Sequence, residues 1–375
     1  MRHPFLLSIF FFAVFCFTAC RSDSKTHEAA HTNGSNQTSD TTASLSATQA
    51  PVSFTTNLDN VRLREKPGLE GKELLRLPLG TTVYDAREVS DFTTSLNLRG
   101  VSFNEPWLKV KTETGITGWI YGGALTFSLE SGDAVMELLM QRRLTGIFGQ
   151  DLSAAIEKYR RHYKGISTAA ELSVNYDEGI ALRDKMVEML RQKIEIAYPD
   201  LPDLFWLREA MPPFVPQLVR EGTEYYLFYD FKAFSRKAAQ TVSPEDDEMA
   251  QIFLKAYRAD SIEYFYPAWF LQISDEGGYT LLGRGIHLDI LEHLDTLHHR
   301  TDLFSKPIAT LKNAIVEDIT AAHPAYWESK QKVINELKQI IIKRFDLLSS
   351  QDMVALETRL KMLKEAKKNN ITFDL

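Results

Sequence analysis

The apolar residues of this chain change their repeat near Ser128, and that change excludes any fold built from one kind of element. Upstream, Val61 and Leu63 alternate with Arg62 and Arg64, Glu65-Lys66-Pro67-Gly68 supplies a turn, and Leu74, Leu75 and Leu77 follow before Pro78-Leu79-Gly80. Trp107-Leu108-Lys109-Val110-Lys111 then meets a Gly115 loop and returns as Thr117-Gly118-Trp119-Ile120-Tyr121. A repeat of two marks strands with one buried face, and Gly and Pro between short runs mark their turns. Downstream the spacing is three and four: Ala134, Val135, Leu138 and Leu139, then Ile156, Tyr159 and Tyr163, then Ile180, Leu182, Met186 and Leu190. That is the repeat of amphipathic helices. The expected architecture is multidomain, a small all-β barrel over 52–128 followed by a mainly α-helical domain over 129–375.

The first fifty residues belong to neither half. Arg2 and His3 precede an uncharged run from Phe5 to Phe17, which is shorter than the ~20 apolar residues a membrane span needs and ends in Thr18-Ala19-Cys20. Two small residues before a Cys resemble the lipobox of bacterial lipoproteins, in the loose, Phe-rich form of Bacteroidota. The resemblance implies a signal peptide over 1–19, a lipidated Cys20, and anchorage to a membrane through that N-terminal lipid. No Asp follows Cys20 directly and no acidic cluster comes after it; by the same resemblance, both absences favour the outer membrane and its periplasmic face. Residues 20–51 are rich in Ser, Thr, Ala and Asn, with too little apolar surface to offset the entropy of ordering, so a flexible tether is expected. The chain has 2 cysteines, Cys16 and Cys20. Neither falls in the expected folded part, which excludes a disulfide framework, a thiolate metal site and a cysteine nucleophile there.

Within 52–128, Asn60-Val61-Arg62-Leu63-Arg64, Pro67-Gly68, Leu79-Gly80-Thr81, Trp107-Leu108-Lys109-Val110, Gly118-Trp119-Ile120 and Ala124-Leu125 resemble the bacterial SH3 domain family in order and spacing. The resemblance implies a binding module for a cell-wall component such as peptidoglycan, or for an envelope protein. Trp107, Trp119, Tyr121 and Phe103 are the candidates for the wall of its groove, since aromatic rings give large contact area at small entropic cost. The same tryptophans would equally plug a barrel core. Residues 86–105 depart from the family as a long insert, expected to form a lip over the groove.

The second half is rich in aromatic residues at Phe205-Trp206, at Tyr225-Tyr226-Leu227-Phe228-Tyr229 and at Tyr264-Phe265-Tyr266. The plain expectation is the core of a helical bundle; the sharper one is a ligand cleft with Tyr229, Asp230 and Glu263 as polar members. Between Gly285 and His299 the histidines 287, 293, 298 and 299 alternate with Asp289, Glu292 and Asp295. Helix geometry turns Ile286, Ile290, Leu294 and Leu297 inward and leaves Glu292, Asp295 and His299 together on another side, so a solvated face is expected rather than a metal centre. His287, at the start of that helix, is the polar residue expected to face a cleft. No Gly-x-Ser-x-Gly elbow or phosphate-binding glycine loop occurs, and a net charge of −7 provides no general attraction for nucleic acid. No catalytic residue, cofactor or metal is therefore assigned. The expectation is binding or scaffolding at the cell envelope; the alternative is a periplasmic hydrolase or carbohydrate-active enzyme targeted by the small domain.

Overall fold

Alternating residues between 53 and 126 pair into one antiparallel sheet in the computed structural model, which describes residues 52–127, 133–219, 222–257, 266–274, 277–321, 325–365 and 372–373. The expected signal peptide over 1–19, Cys20, the expected tether over 20–51 and Glu263 lie outside these residues. The sheet comprises β1 (Ser53–Thr56), β2 (Val61–Arg64), β3 (Glu73–Leu77), β4 (Thr82–Leu98), β5 (Val101–Thr112), β6 (Thr117–Tyr121) and, after a 3-10 turn at Gly122–Ala124, β7 (Leu125–Thr126). Its order is β3-β2-β6-β5-β4-β1-β7, so β3 and β7 remain separate edges and the sheet curls into a half-barrel. Phe54, Leu63, Val83, Leu108, Val110 and Ile120 fill the interior.

The insert is a continuation of the β4–β5 pair and not a lip. The ladder runs from Val83 opposite Thr112 to Leu98 opposite Val101, with irregularities between Asp85 and Glu88 and between Val89 and Thr93. Arg99 and Gly100 make the tip with φ of 52° and 81°, the left-handed pair that closes a two-residue hairpin. There the Gly100 carbonyl accepts from the Glu195 amide at 3.2 Å, and a Cβ on Gly100 would fall 1.8 Å from the Glu195 carbonyl oxygen. The tip thus rests on the chain just after the second helix.

The remainder is not purely helical. It contains, among the described residues, α1 (Ala134–Gly165), α2 (Ala169–Lys193), α3 (Leu207–Ala210), α4 (Phe231–Ala238), α5 (Pro244–Ala256), α6 (Ile286–Arg300), α7 (Ser305–Thr320), α8 (Lys330–Lys343) and α9 (Ser350–Glu365). Gly149, at φ 75°, breaks α1 between the two segments that its apolar spacing suggests. Thr168 and Glu171 cap α2 reciprocally, each side chain accepting from the other's backbone amide. Two small sheets interrupt the helices: the hairpin β8 (Phe214–Val219) with β9 (Glu224–Tyr229), and β10 (Phe270–Ser274), β11 (Gly277–Thr280), β12 (Ala325–Tyr326) and β13 (Thr372–Phe373). The aromatic run Tyr225–Tyr229, expected in a helical core, is β9; a continuous apolar run of that length fits either element until its partner strand is known.

The half-barrel and the helices form one compact unit, residues 50–375. Arg143 of α1 is its hinge pin. Its guanidinium donates to Glu105 Oε1 at 2.5 Å and to the carbonyls of Gly122 and Leu125 at 2.7 and 2.8 Å, and its Cζ lies 4.8 Å from the Phe127 ring centre. Both Arg143 and Glu105 are buried.

Candidate functional site

A cavity of about 790 Å³ opens among α2, the β8–β9 hairpin, the start of α4, the end of α5 and the first turns of α7. That volume falls within the range typical of small-molecule sites, ~300–1,000 Å³. Each element contributes by its own repeat. Tyr176, Ile180 and Arg183 lie four and three residues apart on α2 and share one face. Tyr226 and Phe228, two apart on β9, both face the cavity, and the strand ends in Tyr229, with Asp230 next in the chain. Phe231 and Lys232 open α4, Tyr257 closes α5, and Lys306, Pro307 and Thr310 come from α7.

The walls are mostly rings. Phe231 and Tyr257 stack 4.7 Å apart at an interplanar angle of 7°, and Tyr226 and Phe228 lie 4.8 Å apart. Behind them, Tyr229 is wedged 5.0 Å from both Tyr176 and Phe214, which places it in the floor. Arg183 sits 5.4 Å from the Tyr226 ring centre, in the range of a cation–π contact. Burial pushes the Tyr176, Tyr226 and Tyr257 phenols up, with the nearby Arg183 charge opposing it in all three. Phenols are neutral at physiological pH, so Tyr176 and Tyr257 present hydroxyls able to donate a hydrogen bond.

The acids at this site are already engaged. Asp177 pairs with Lys306 at 2.9 Å and Asp184 with Arg183 at 2.8 Å. Asp230 is the N-cap of α4, accepting from the Lys232 and Ala233 amides at 2.9 and 3.1 Å and from Arg236 at 3.3 Å. In contrast, the exposed side chains of Arg208 and Lys232 form no ion pair among the described residues. The polar chemistry on offer is donation.

Of the residues singled out by sequence, Tyr229 and Asp230 line this cavity. His287 does not. It is fully buried in the first turn of α6, where its Nε2 donates to Asp318 of α7 at 2.8 Å, and Asp318 also accepts from Thr280 Oγ1 at 2.5 Å. Glu336 of α8 accepts from the amides of Gly283, Gly285 and Leu288, so a carboxylate takes up the donors that a helix start leaves open. The expectation that His287 faces a cleft is corrected: it is an interior tie among β11, α6, α7 and α8. On the outer side of α6, Glu292 pairs with Lys343 and His299 with Asp346. Among the described residues, no group of three or more His, Cys, Asp or Glu side chains is placed to hold a metal ion, and no helix is long and apolar enough to cross a membrane.

The expected groove on the half-barrel is likewise corrected. Trp107, Tyr121 and Phe103 are 2%, 4% and 5% exposed and lie in the interior. Trp107 Nε1 donates to Thr94 Oγ1 at 2.8 Å, and the Tyr121 hydroxyl donates to the Thr94 carbonyl at 2.7 Å. These rings fasten the long hairpin to the sheet. Trp119 alone of the four is partly exposed, beneath Lys109 Nζ at 5.9 Å.

Tyr176, Arg183, Arg208, Tyr257 and Lys306 were not picked out by sequence. The α2 stripe carries a signal in retrospect, since an arginine and a tyrosine sharing a helical face with Ile180 interrupt its apolar side. Comparison with known proteins gives no matching family model, no matching curated protein and no matching solved structure.

Proposed function

We propose that this chain is a lipid-anchored protein of the bacterial cell envelope that captures a small, ring-bearing ligand in the aromatic cavity. The cavity carries the reading: about 790 Å³ lined by stacked rings, neutral phenols and cations is a binding site in size and chemistry. The anchor rests on the lipobox-like Thr18-Ala19-Cys20, with 20–51 as tether, and the orientation on the periplasmic side of the outer membrane rests on the residues after Cys20.

In this reading the half-barrel is a bacterial SH3-like domain put to a structural use. The buried Arg143–Glu105 pair and the contact of the hairpin tip with Glu195 support a body in which the domain braces the helices. Trp119 leaves it a smaller surface for a cell-wall component or an envelope protein. Binding is favoured over hydrolysis because the carboxylates at the cavity are held by Lys306, Arg183 and the α4 start, whereas acid–base cleavage needs a pair aimed at one bond.

The test is depletion of soluble fragments, released from the envelope by enzymatic digestion, by the full chain and two variants. Ala181→Trp fills the cavity from an exposed position of α2, and Trp119→Ala strips the half-barrel surface. Loss of depletion in Ala181→Trp and its retention in Trp119→Ala is the expected result. The opposite pattern moves the site to the half-barrel.

A further inference from the structure

Resting on the cavity as the ligand site, we infer that its ligand is a cyclic, hydroxylated anion, in chemical class an acidic sugar. Three independent features select that class. The first is the surplus of donors: Asp177, Asp184 and Asp230 are occupied by partners of this chain, while Arg208 and Lys232 form no ion pair among the described residues. A site whose acids are all paired and which keeps two unpaired cations is complementary to a group that only accepts, and a carboxylate or phosphate does so through short, charge-assisted bonds.

The second feature is the set of neutral phenols. Tyr176 and Tyr257 both line the cavity, and their phenols are neutral at physiological pH. Hydroxyls that both donate and accept match the hydroxyls of a sugar, which do the same. A wholly apolar chain such as that of a fatty acid would offer the Tyr176 and Tyr257 hydroxyls no partner, at a cost of ~1–3 kcal/mol for each one left unpaired.

Third, the rings offer flat apolar walls, with Phe231 stacked on Tyr257 at 4.7 Å, suited to the apolar face of a saturated ring. Arg183 lies 5.4 Å from the Tyr226 ring centre and Lys232 follows Phe231 at the start of α4, so cations stand beside rings and the anionic group and the ring lie close together in the ligand.

The experiment titrates the full chain with glucuronic acid, glucose 6-phosphate and glucose, followed by ligand-observed saturation-transfer NMR. The two acids should bind, and glucose should bind at least about tenfold more weakly, as loss of charge-assisted bonds predicts. The double variant Arg208→Gln/Lys232→Gln, at two exposed positions, should weaken the acids by about tenfold or more and leave glucose unchanged. Preference for one acid identifies the group as carboxylate or phosphate and supports the inference either way. Equal binding of glucose and its acids, no binding of any of the three, or an unaffected double variant overturns it. Ala181→Trp separates the two levels: equal binding of all three sugars that this variant abolishes leaves the cavity standing and removes only the anion, whereas binding that it does not affect removes the cavity itself.

Discussion

Arg143 and Glu105, thirty-eight positions apart, meet as a buried ion pair between α1 and the long strand β5, with 0% and 1% of their side chains exposed. Burial raises the Glu105 pKa and the Arg143 charge opposes it, so the carboxylate depends on its partner for its charge. Arg143→Met should cost about 3–5 kcal/mol by stranding Glu105, measured by chemical denaturation. Converting both residues, Arg143→Met with Glu105→Leu, should restore most of the loss, because an apolar pair leaves no uncompensated charge. Full recovery of single-step unfolding in the double variant would show that the pair sets stability; separate unfolding of the half-barrel would show that it couples the two parts.

Trp107 and Trp119 should respond oppositely to truncation. Trp107→Ala opens a cavity in the interior and removes the bond to Thr94, so a loss of about 3–5 kcal/mol is expected. Trp119→Ala removes a half-exposed ring and should cost well under about half of that. Thermal melts of the two variants check the ranking, and similar losses would contradict the interior position of Trp107.

That inversion shows where the sequence stops being legible. Alternation locates β2, β5 and β6, because Val61, Leu63, Val110 and Ile120 each need one buried face. It does not reveal which face is inward where β5 is covered on both sides: Glu105, Pro106, Trp107 and Leu108 are all buried, since the helices close over the face that a lone barrel would leave to solvent. The insert was visible as extra length, while its role as an arm reaching Glu195 depends on a tertiary contact that no spacing encodes. The cavity was half legible. Tyr229 and Asp230 stand out within an aromatic run, but Arg183, Arg208 and Lys306 come from three different helices and converge only on folding.

Acid should weaken the fold partly through Glu137. Its hydrogen bonds to Arg160 hold the carboxylate below the usual range. A group with a depressed folded-state pKa stabilises above its unfolded value and loses that contribution as the pH falls through the folded one. The melting temperature should therefore drop between roughly pH 5 and pH 3, and Arg160→Met should flatten that limb while lowering stability at neutral pH. An unchanged acid limb in Arg160→Met would exclude this pair as a contributor.

Cys20 is the proposed attachment to the membrane. Cys20→Ala should move the protein from the membrane pellet to the soluble periplasmic fraction, because no second lipid site is proposed and a single anchor is lost entirely with its thiol. Continued sedimentation with the outer membrane would contradict lipid anchorage at this residue.

The most direct measurement of the account as a whole is native mass spectrometry of the full chain, purified from the cells that make it in mild detergent, beside the Ala181→Trp variant prepared identically. The wild-type chain should carry a non-covalent adduct of small-molecule mass that dissociates on mild activation, and the variant, with its cavity filled, should lack it. An adduct of equal occupancy in both, or none on the wild type, would contradict the assignment of the aromatic cavity as the ligand site.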